Sequence, residues 1–518
     1  MVRGLVLVLM CTEAEPPKQA ESAPRAVVTV CLDQTLGKIS PFIYGTNDDR
    51  PQAWTDKKRH TFGRLGGNRW TAYNWEINAS NAGKDWHHQN DGYLSKSDEP
   101  ARAVTDRLDV IQKFGAPALV TVPIQGWVAA DKNGDGDVSK SGEDFRQKRF
   151  LTNIDVSWKK QSLQPDKTDR VVFQNEFVAF LERWREQRRG PPIWFSLDNE
   201  PDLWHDTHPR IQPKSPTKKE LIERSILFAK AIKQESPDAL VFGPAVSGWM
   251  GITTGGVGEF DRERYFVDDY IDAFGKESKK GGKRLLDVLD VHWYPEHRSA
   301  KNVRITADSG AADVSLARVE SVRSFNDVSF NENSWITRDV LRQPIMLLRR
   351  LQRIIRDRDP DLKVAVTEYY YGGGAHPSGA VAQADVLGVL GREGVFAANL
   401  FHLGRTDDRY IVAAFDLYRN YDGRGGSFAE SGLNAYSTSE NIGVYAAAGS
   451  ERTTIIVTNR SDGWSHVNVR FVGKAPDLSN SVRYQVAAPA ARPVKVDGVD
   501  LDKFVLPPMS ATLIVVPR

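Results

Sequence analysis

Along the chain, short apolar runs of strand character alternate with longer stretches whose apolar positions recur every three or four residues. The strand-like runs begin at Phe42-Ile43-Tyr44-Gly45 and continue over 63–70, 118–123, 194–197, 240–243, 286–291, 363–367 and 395–400. Between them the apolar spacing predicts helices over 103–114, 174–187, 221–235, 266–274, 341–356 and 381–392. Such alternation predicts an α/β fold, a (β/α)8 TIM-like barrel. Right-handed crossovers make closure the economical topology. The polar stretch 299–334 reads as a long insertion. From about residue 416 the texture changes to short strands separated by turn signals, at 444–446, 453–458, 467–472, 482–486 and 512–516. No helical pattern interrupts them, which predicts a small antiparallel β-sandwich. The strand-like run 26–32 is spare to the barrel count and is assigned to that sandwich. The expected domains are a leader and linker over 1–25, a barrel over 39–415, and a sandwich from 26–38 with 416–518.

Two of the barrel strands end in acid. The fourth runs through Trp194-Phe195-Ser196-Leu197 into Asp198-Asn199-Glu200-Pro201, and proline cannot continue a central strand. The seventh ends in Thr367-Glu368, followed by Tyr369-Tyr370-Tyr371 and three glycines. Catalytic side chains of a β/α barrel stand at these C-terminal strand ends. A single glutamate there is commonly a cap or half of an ion pair, but two facing carboxylates are what glycoside hydrolysis needs. One protonates the leaving oxygen, and the other acts as nucleophile or as base for water. Aromatic residues follow nearly every strand: Trp54, Trp70, Tyr73, Trp75, Trp127, Trp204, Trp249, Trp293, Tyr294, Tyr370 and Phe401. Flat rings bury the C–H faces of sugars, so the barrel mouth is expected to form a polysaccharide cleft. Arg64 and Asn68 point to the same region by period-two alternation.

Composition narrows the field. With 69 basic and 67 acidic residues the net charge is +2, so no bulk field favours nucleic acid or an anionic membrane. Two cysteines, Cys11 and Cys31, give no disulfide framework. Arg3, the apolar run 4–10 and the polar, proline-containing 12–24 resemble a short signal peptide and linker, so a secreted or cell-surface enzyme, acting as a monomer, is expected. That run is too short to span a membrane. Cys11 stands where a lipidated cysteine would, although Met10 is large for the preceding position. Asp131, Asn133, Asp135 and Asp137, with Gly136, have the spacing of a structural calcium loop. Position 12 of that loop is Gly142, and Glu143 falls one residue late for the bidentate ligand. A solvated acidic turn is the competing reading, and no other cofactor is expected. His87-His88 and His205 with His208 lack a third ligand at zinc spacing and are expected to face solvent.

Four stretches carry a resemblance. Gly66-Gly67-Asn68-Arg69-Trp70-Thr71-Ala72-Tyr73-Asn74-Trp75-Glu76, with Asn78-Ala79-Ser80-Asn81-Ala82-Gly83, resembles glycoside hydrolase family 44. So do 287–296, which contain His292-Trp293-Tyr294-Pro295, and Tyr418-Arg419-Asn420-Tyr421-Asp422-Gly423. The resemblance implies a retaining endo-β-1,4-glucanase of a barrel and a β-sandwich, acting on xyloglucan and soluble cellulose derivatives. It implies Glu200 as acid/base, Glu368 as nucleophile, Asn199 as partner of the sugar 2-hydroxyl and Tyr294 as partner of the nucleophile. The expected substrate contacts are Asn199, Tyr294, Trp70, Trp75, Trp127, Trp204, Trp293, Tyr370, Asn68, Arg64 and His292. Mannan or xylan as substrate, or a non-hydrolytic polysaccharide-binding protein, are the alternatives.

Overall fold

A computed structural model describes residues 26–518 apart from 48–60, 159–162, 402–406, 475, 497, 499, 502 and 503. The expected leader, Cys11 and Trp54 lie outside the described residues. Eight parallel strands close into a barrel: Phe42–Asn47, Gly63–Leu65, Ala118–Val122, Ile193–Leu197, Val241–Ser247, Val288–Trp293, Lys363–Tyr369 and Ala397–Phe401. The third, fourth and sixth are buried at every residue, as strands must be when helices cover one face and the barrel interior the other. The second is shorter than its apolar run suggests. Gly66 and Gly67 (φ 101°) interrupt it, and Asn68–Thr71 form one helical turn instead.

The barrel interior is layered. Its lower end is apolar, formed by Phe62, Leu119, Trp194, Phe242, Val288, Ala365 and Ala397, with Phe42 and Phe396 packed against them. Two residues further along five of these strands, the interior side chains turn polar: Thr121, Ser196, Asp290, Thr367 and Asn399, all fully buried. Above these stand His292 and Glu368. Their pairing depends on a register shift, because Val291 opposes Val366 but His292 opposes Glu368. Thr367 is the extra residue of this bulge. Its N–H and hydroxyl both donate to Asp290, the hydroxyl at 2.8 and 2.7 Å. Strict alternation from Ala365 would turn Glu368 away from the interior, and the bulge turns it back.

The stretch 299–334 is less irregular than its polarity suggests. It contains the helix Ala312–Ser321 and a 3-10 turn Val322–Phe325, with Val319 and Phe325 fully buried. The next helix begins at Leu347, later than its periodicity indicates, after a π-helical segment Ile336–Leu341. A further helix, Arg409–Arg419, spans the expected domain boundary at 415–416.

The β domain is one hydrogen-bonded sheet of nine strands, curled about its own core of Val28, Val30, Ile455, Val457, Val467, Leu506 and Ile514. Its strands are antiparallel except that Ala26–Lys38 runs parallel to Ser465–Val472. The opposite sheet face meets the helix Pro377–Arg392. There Asp385 accepts from Thr458 Oγ1 and Arg460 Nε, each at 2.7 Å. Gly388 of the same helix lies so close to Tyr445 that a Cβ would come within 2.2 Å of its ring. Among the described residues no helix is long and apolar enough to cross a membrane.

Candidate active site

The fourth strand ends in a backbone reversal. Asp198 (φ 66°) and Glu200 (φ 44°) both adopt the left-handed conformation, which L-residues disfavour and which needs fixed surroundings. Asp198 supplies them. Its carboxylate accepts from Thr71 Oγ1 (2.6 Å), Ile124 N (2.7 Å), Asn199 N (2.8 Å), Gln125 N (3.2 Å) and Trp204 Nε1 (3.3 Å). Burial pushes the Asp198 carboxyl above its ordinary range, and these donors oppose the shift. Glu200 N donates to Ala245 O of the fifth strand at 2.9 Å. Its side chain turns into the barrel mouth, where His292 Nδ1 lies 3.0 Å from Oε1.

Glu368 faces it, buried among donors. Arg64 Nη1 (2.7 Å) and Asn47 Nδ2 (3.3 Å) donate to Oε1, and Tyr294 OH (2.9 Å) donates to Oε2. His292 Nδ1 lies 3.4 Å from Oε2, so one imidazole nitrogen stands between the two glutamates. One side-chain ligand atom of each of Glu200, His292 and Glu368 lies within 4.8 Å of the other two. Burial alone would raise the Glu368 pKa. His292, Arg64 and the Tyr294 hydrogen bond outweigh it and hold the group below its ordinary range. The same contacts act in reverse on their partners. Burial would lower the His292 pKa, yet Glu368 and Glu200 raise it, while burial and both glutamates push the Tyr294 phenol far up.

Asn199 is oriented by three neighbours. Arg64 Nη2 and Gly67 N both donate to its Oδ1 at 2.9 Å, and its Nδ2 reaches Asn68 Oδ1 at 3.4 Å. Asn68 in turn donates to Asp85 at 3.0 Å. Arg64 thus spans the Glu368 carboxylate and the Asn199 amide. Its removal has a signed consequence. Glu368 is depressed, so its contact contributes folding stability above the unfolded pKa, lost as pH falls through the lower folded value. Arg64→Met removes the charge, so the Glu368 pKa should rise and the acid limb of kcat/KM move to higher pH. A pH–rate profile of the variant, with activity lost first on the acidic side, checks this.

Of the expected site residues, Glu200, Glu368, Asn199, Asn68, Arg64, His292 and Tyr294 converge. The aromatic wall does not. Trp70, Trp75, Trp204, Trp293 and Tyr370 are each 1% exposed or less. Trp75 stacks on Phe177 at 5.8 Å and donates to Phe173 O, while Tyr370 OH is bound to Asp308. Their large apolar area is spent in the core. Trp127 is half-buried against Ala72, Val138, Phe150 and Ile211. Among the described residues, Trp86 is an exposed indole beside this network, 56% exposed and one residue beyond Asp85. Asn47, Asp85 and Asp202 also belong to the surroundings of the pair and carry no local motif, whereas Asp198, within Asp-Asn-Glu-Pro, and Asp290, within 287–296, stand in stretches that the sequence marks.

The loop at Asp131 is neutralised from within the chain. Arg149 holds Asp131 with both Nε (2.7 Å) and Nη2 (2.9 Å) and reaches Asp135 at 2.8 Å. Arg210 holds both oxygens of Asp137, at 2.9 and 2.6 Å, and keeps that carboxyl far below its ordinary range. Carboxylates closed on guanidinium groups do not fit a calcium cage, and Glu143 is exposed outside the loop. A chelator should therefore leave the melting curve unchanged. Arg149→Ala should destabilise by about 1.5–3 kcal/mol, the range for hydrogen bonds to charged groups. Nor do the histidines behave alike: His208 is buried, and burial lowers its pKa to about 4.

Known proteins match this chain along its length. Residues 79–297 match the model of glycoside hydrolase family 44. Endoglucanase A of Paenibacillus lautus is 35% identical over 541 residues, covering 99% of this chain and 75% of that protein. Beta-mannanase/endoglucanase A of Caldicellulosiruptor saccharolyticus is 36% identical over 84% of this chain, which spans 34% of that protein. A family 44 xyloglucanase of Paenibacillus polymyxa, solved with xyloglucan, superposes with a TM-score of 0.88 at 33% identity, covering 96% of this chain and 100% of its own. Matched over nearly its whole length at this identity, the chain belongs to glycoside hydrolase family 44.

Proposed function

We propose that the chain is a retaining endo-hydrolase of β-1,4-glucan backbones, acting on xyloglucan and soluble cellulose derivatives by double displacement through two glutamates. The observation that carries the mechanism is the short gap between the carboxylates, within 4.8 Å through ligand atoms that share His292. Retaining glycosidases place the groups about 5–5.5 Å apart, whereas inverting ones need about 6.5–9.5 Å to admit water. Glu368, ionised and held by Arg64 and Tyr294, attacks the anomeric carbon. Glu200 gives its proton to the leaving oxygen and then takes one from the incoming water. Asn199, fixed by Arg64 and Gly67, presents its amide to the sugar 2-hydroxyl.

The substrate class rests on similarity to proteins named for glucan and xyloglucan, including one solved with xyloglucan. Mannan is the second reading, favoured by the name of one relative. Two tests decide. Reducing ends released from xyloglucan, soluble β-glucan, mannan and xylan rank the substrates. Proton NMR of the first products fixes the stereochemistry: the β-anomer is expected, and an initial α-product would overturn retention.

A further inference from the structure

Two residues beyond Glu200 stands a carboxylic acid that the reaction does not use. Asp202 is 1% exposed, and among the described residues no basic side chain pairs with it. Its two oxygens are both taken by one residue at the end of the fifth strand: Ser247 N donates to Oδ1 at 3.0 Å and Ser247 Oγ to Oδ2 at 2.6 Å. The wall around it is shaped to admit it. A Cβ on Gly251 would come 2.6 Å from Asp202 Oδ2, and one on Gly256 (φ 79°) would come 2.7 Å from its carbonyl oxygen. Burying a carboxyl without a cation is costly, and an apolar residue would fill the space at lower cost. Something other than packing has to account for it.

The backbone supplies the reason. Glu200 sits in a left-handed conformation at the head of the turn Pro201–Leu203, where Leu203 N donates to Glu200 O at 2.9 Å. That turn is tied to the fifth strand at two points, Glu200 N to Ala245 O and Asp202 to Ser247. We propose that Asp202 is a positioning residue for Glu200, clamping the turn that carries it to Ser247 so that its carboxyl is aimed at the leaving oxygen. The proximity is also electrostatic. Burial raises the Asp202 pKa, the Ser247 hydrogen bonds oppose this, and the Glu200 charge adds to it, leaving Asp202 at about 7. The inference rests on the reading of Glu200 as acid/base.

The test compares kcat/KM, which reports the first bond-breaking step, for phenyl and dinitrophenyl cello-oligosaccharides. Glu200→Ala should lose heavily on the phenyl substrate and little on the dinitrophenyl one, whose leaving group needs no proton. Asp202→Ala should show the same asymmetry at reduced size, about 10–100-fold against about 2-fold, as for a misaimed group. Asp202→Asn should recover activity to within about threefold, because its amide oxygen still accepts from Ser247 N. Equal losses of Asp202→Ala on both substrates, or no loss on either, overturn the clamp while leaving Glu200 in its role. If Glu200→Ala itself fails to discriminate, the acid/base reading falls and the clamp with it. Should Asp202→Ala not fold, Ser247→Ala removes only the Oγ bond, and it must show the same asymmetry or the proposal fails.

Discussion

Glu368→Ala and Glu368→Gln should both be inactive on every glycan and on every aryl glycoside, whatever the leaving group. Loss of a covalent nucleophile typically costs on the order of 10⁶ in kcat. Among the described residues no neighbour replaces it, because Arg64, Asn47 and Tyr294 are donors and His292 is wedged between the glutamates. The two variants should differ in stability. The Gln amide oxygen still accepts from Arg64, whereas Ala leaves a buried guanidinium with only Asn199, a defect of about 3–5 kcal/mol. With azide present, Glu368→Ala should give an α-glycosyl azide by direct displacement. Substantial activity in either variant without azide would remove Glu368 from its role.

Glu200→Ala should behave differently. General acid catalysis contributes about 10²–10⁴-fold, so loss on xyloglucan should fall in that range and nearly vanish in kcat/KM for a dinitrophenyl glycoside. On the proposed mechanism the glycosyl-enzyme should then accumulate, since its hydrolysis would also use Glu200 as base, and a pre-steady-state burst should appear. Azide, needing no base, should relieve the block and give a β-glycosyl azide. Equal loss on activated and natural substrates would exchange or cancel the roles assigned to the two glutamates.

The barrel strands are legible in the amino-acid sequence because strands covered on both faces read as unbroken apolar runs. The glutamates are legible because acid is out of place at the end of such a run. Orientation is another matter. A tryptophan following a strand can face the mouth or the core, and Trp75 and Trp204 turn inward, where burial rewards the ring and buried acceptors, Phe173 O and Asp198, take their indole N–H groups. Glu368 itself points inward only through the bulge at Thr367, which no periodicity announces. Asn47 meets it across 321 residues of chain, and the buried helix Ala312–Ser321 is concealed by the polarity of its flanks.

The helix Pro377–Arg392 is buried along 14 of its residues, Pro377 to Leu390, between the barrel and the curled sheet. Barrel helices ordinarily keep one face in water, and this one has none to spare. The sheet is therefore no appendage on a tether that could be trimmed off or could sweep a substrate toward the mouth. Cutting the chain after the helix Arg409–Arg419 would strip a layer from the barrel and leave Asp385 without Arg460. Heat should accordingly melt barrel and sheet in one cooperative transition, and in an engineered fusion the two must travel together as a single cassette.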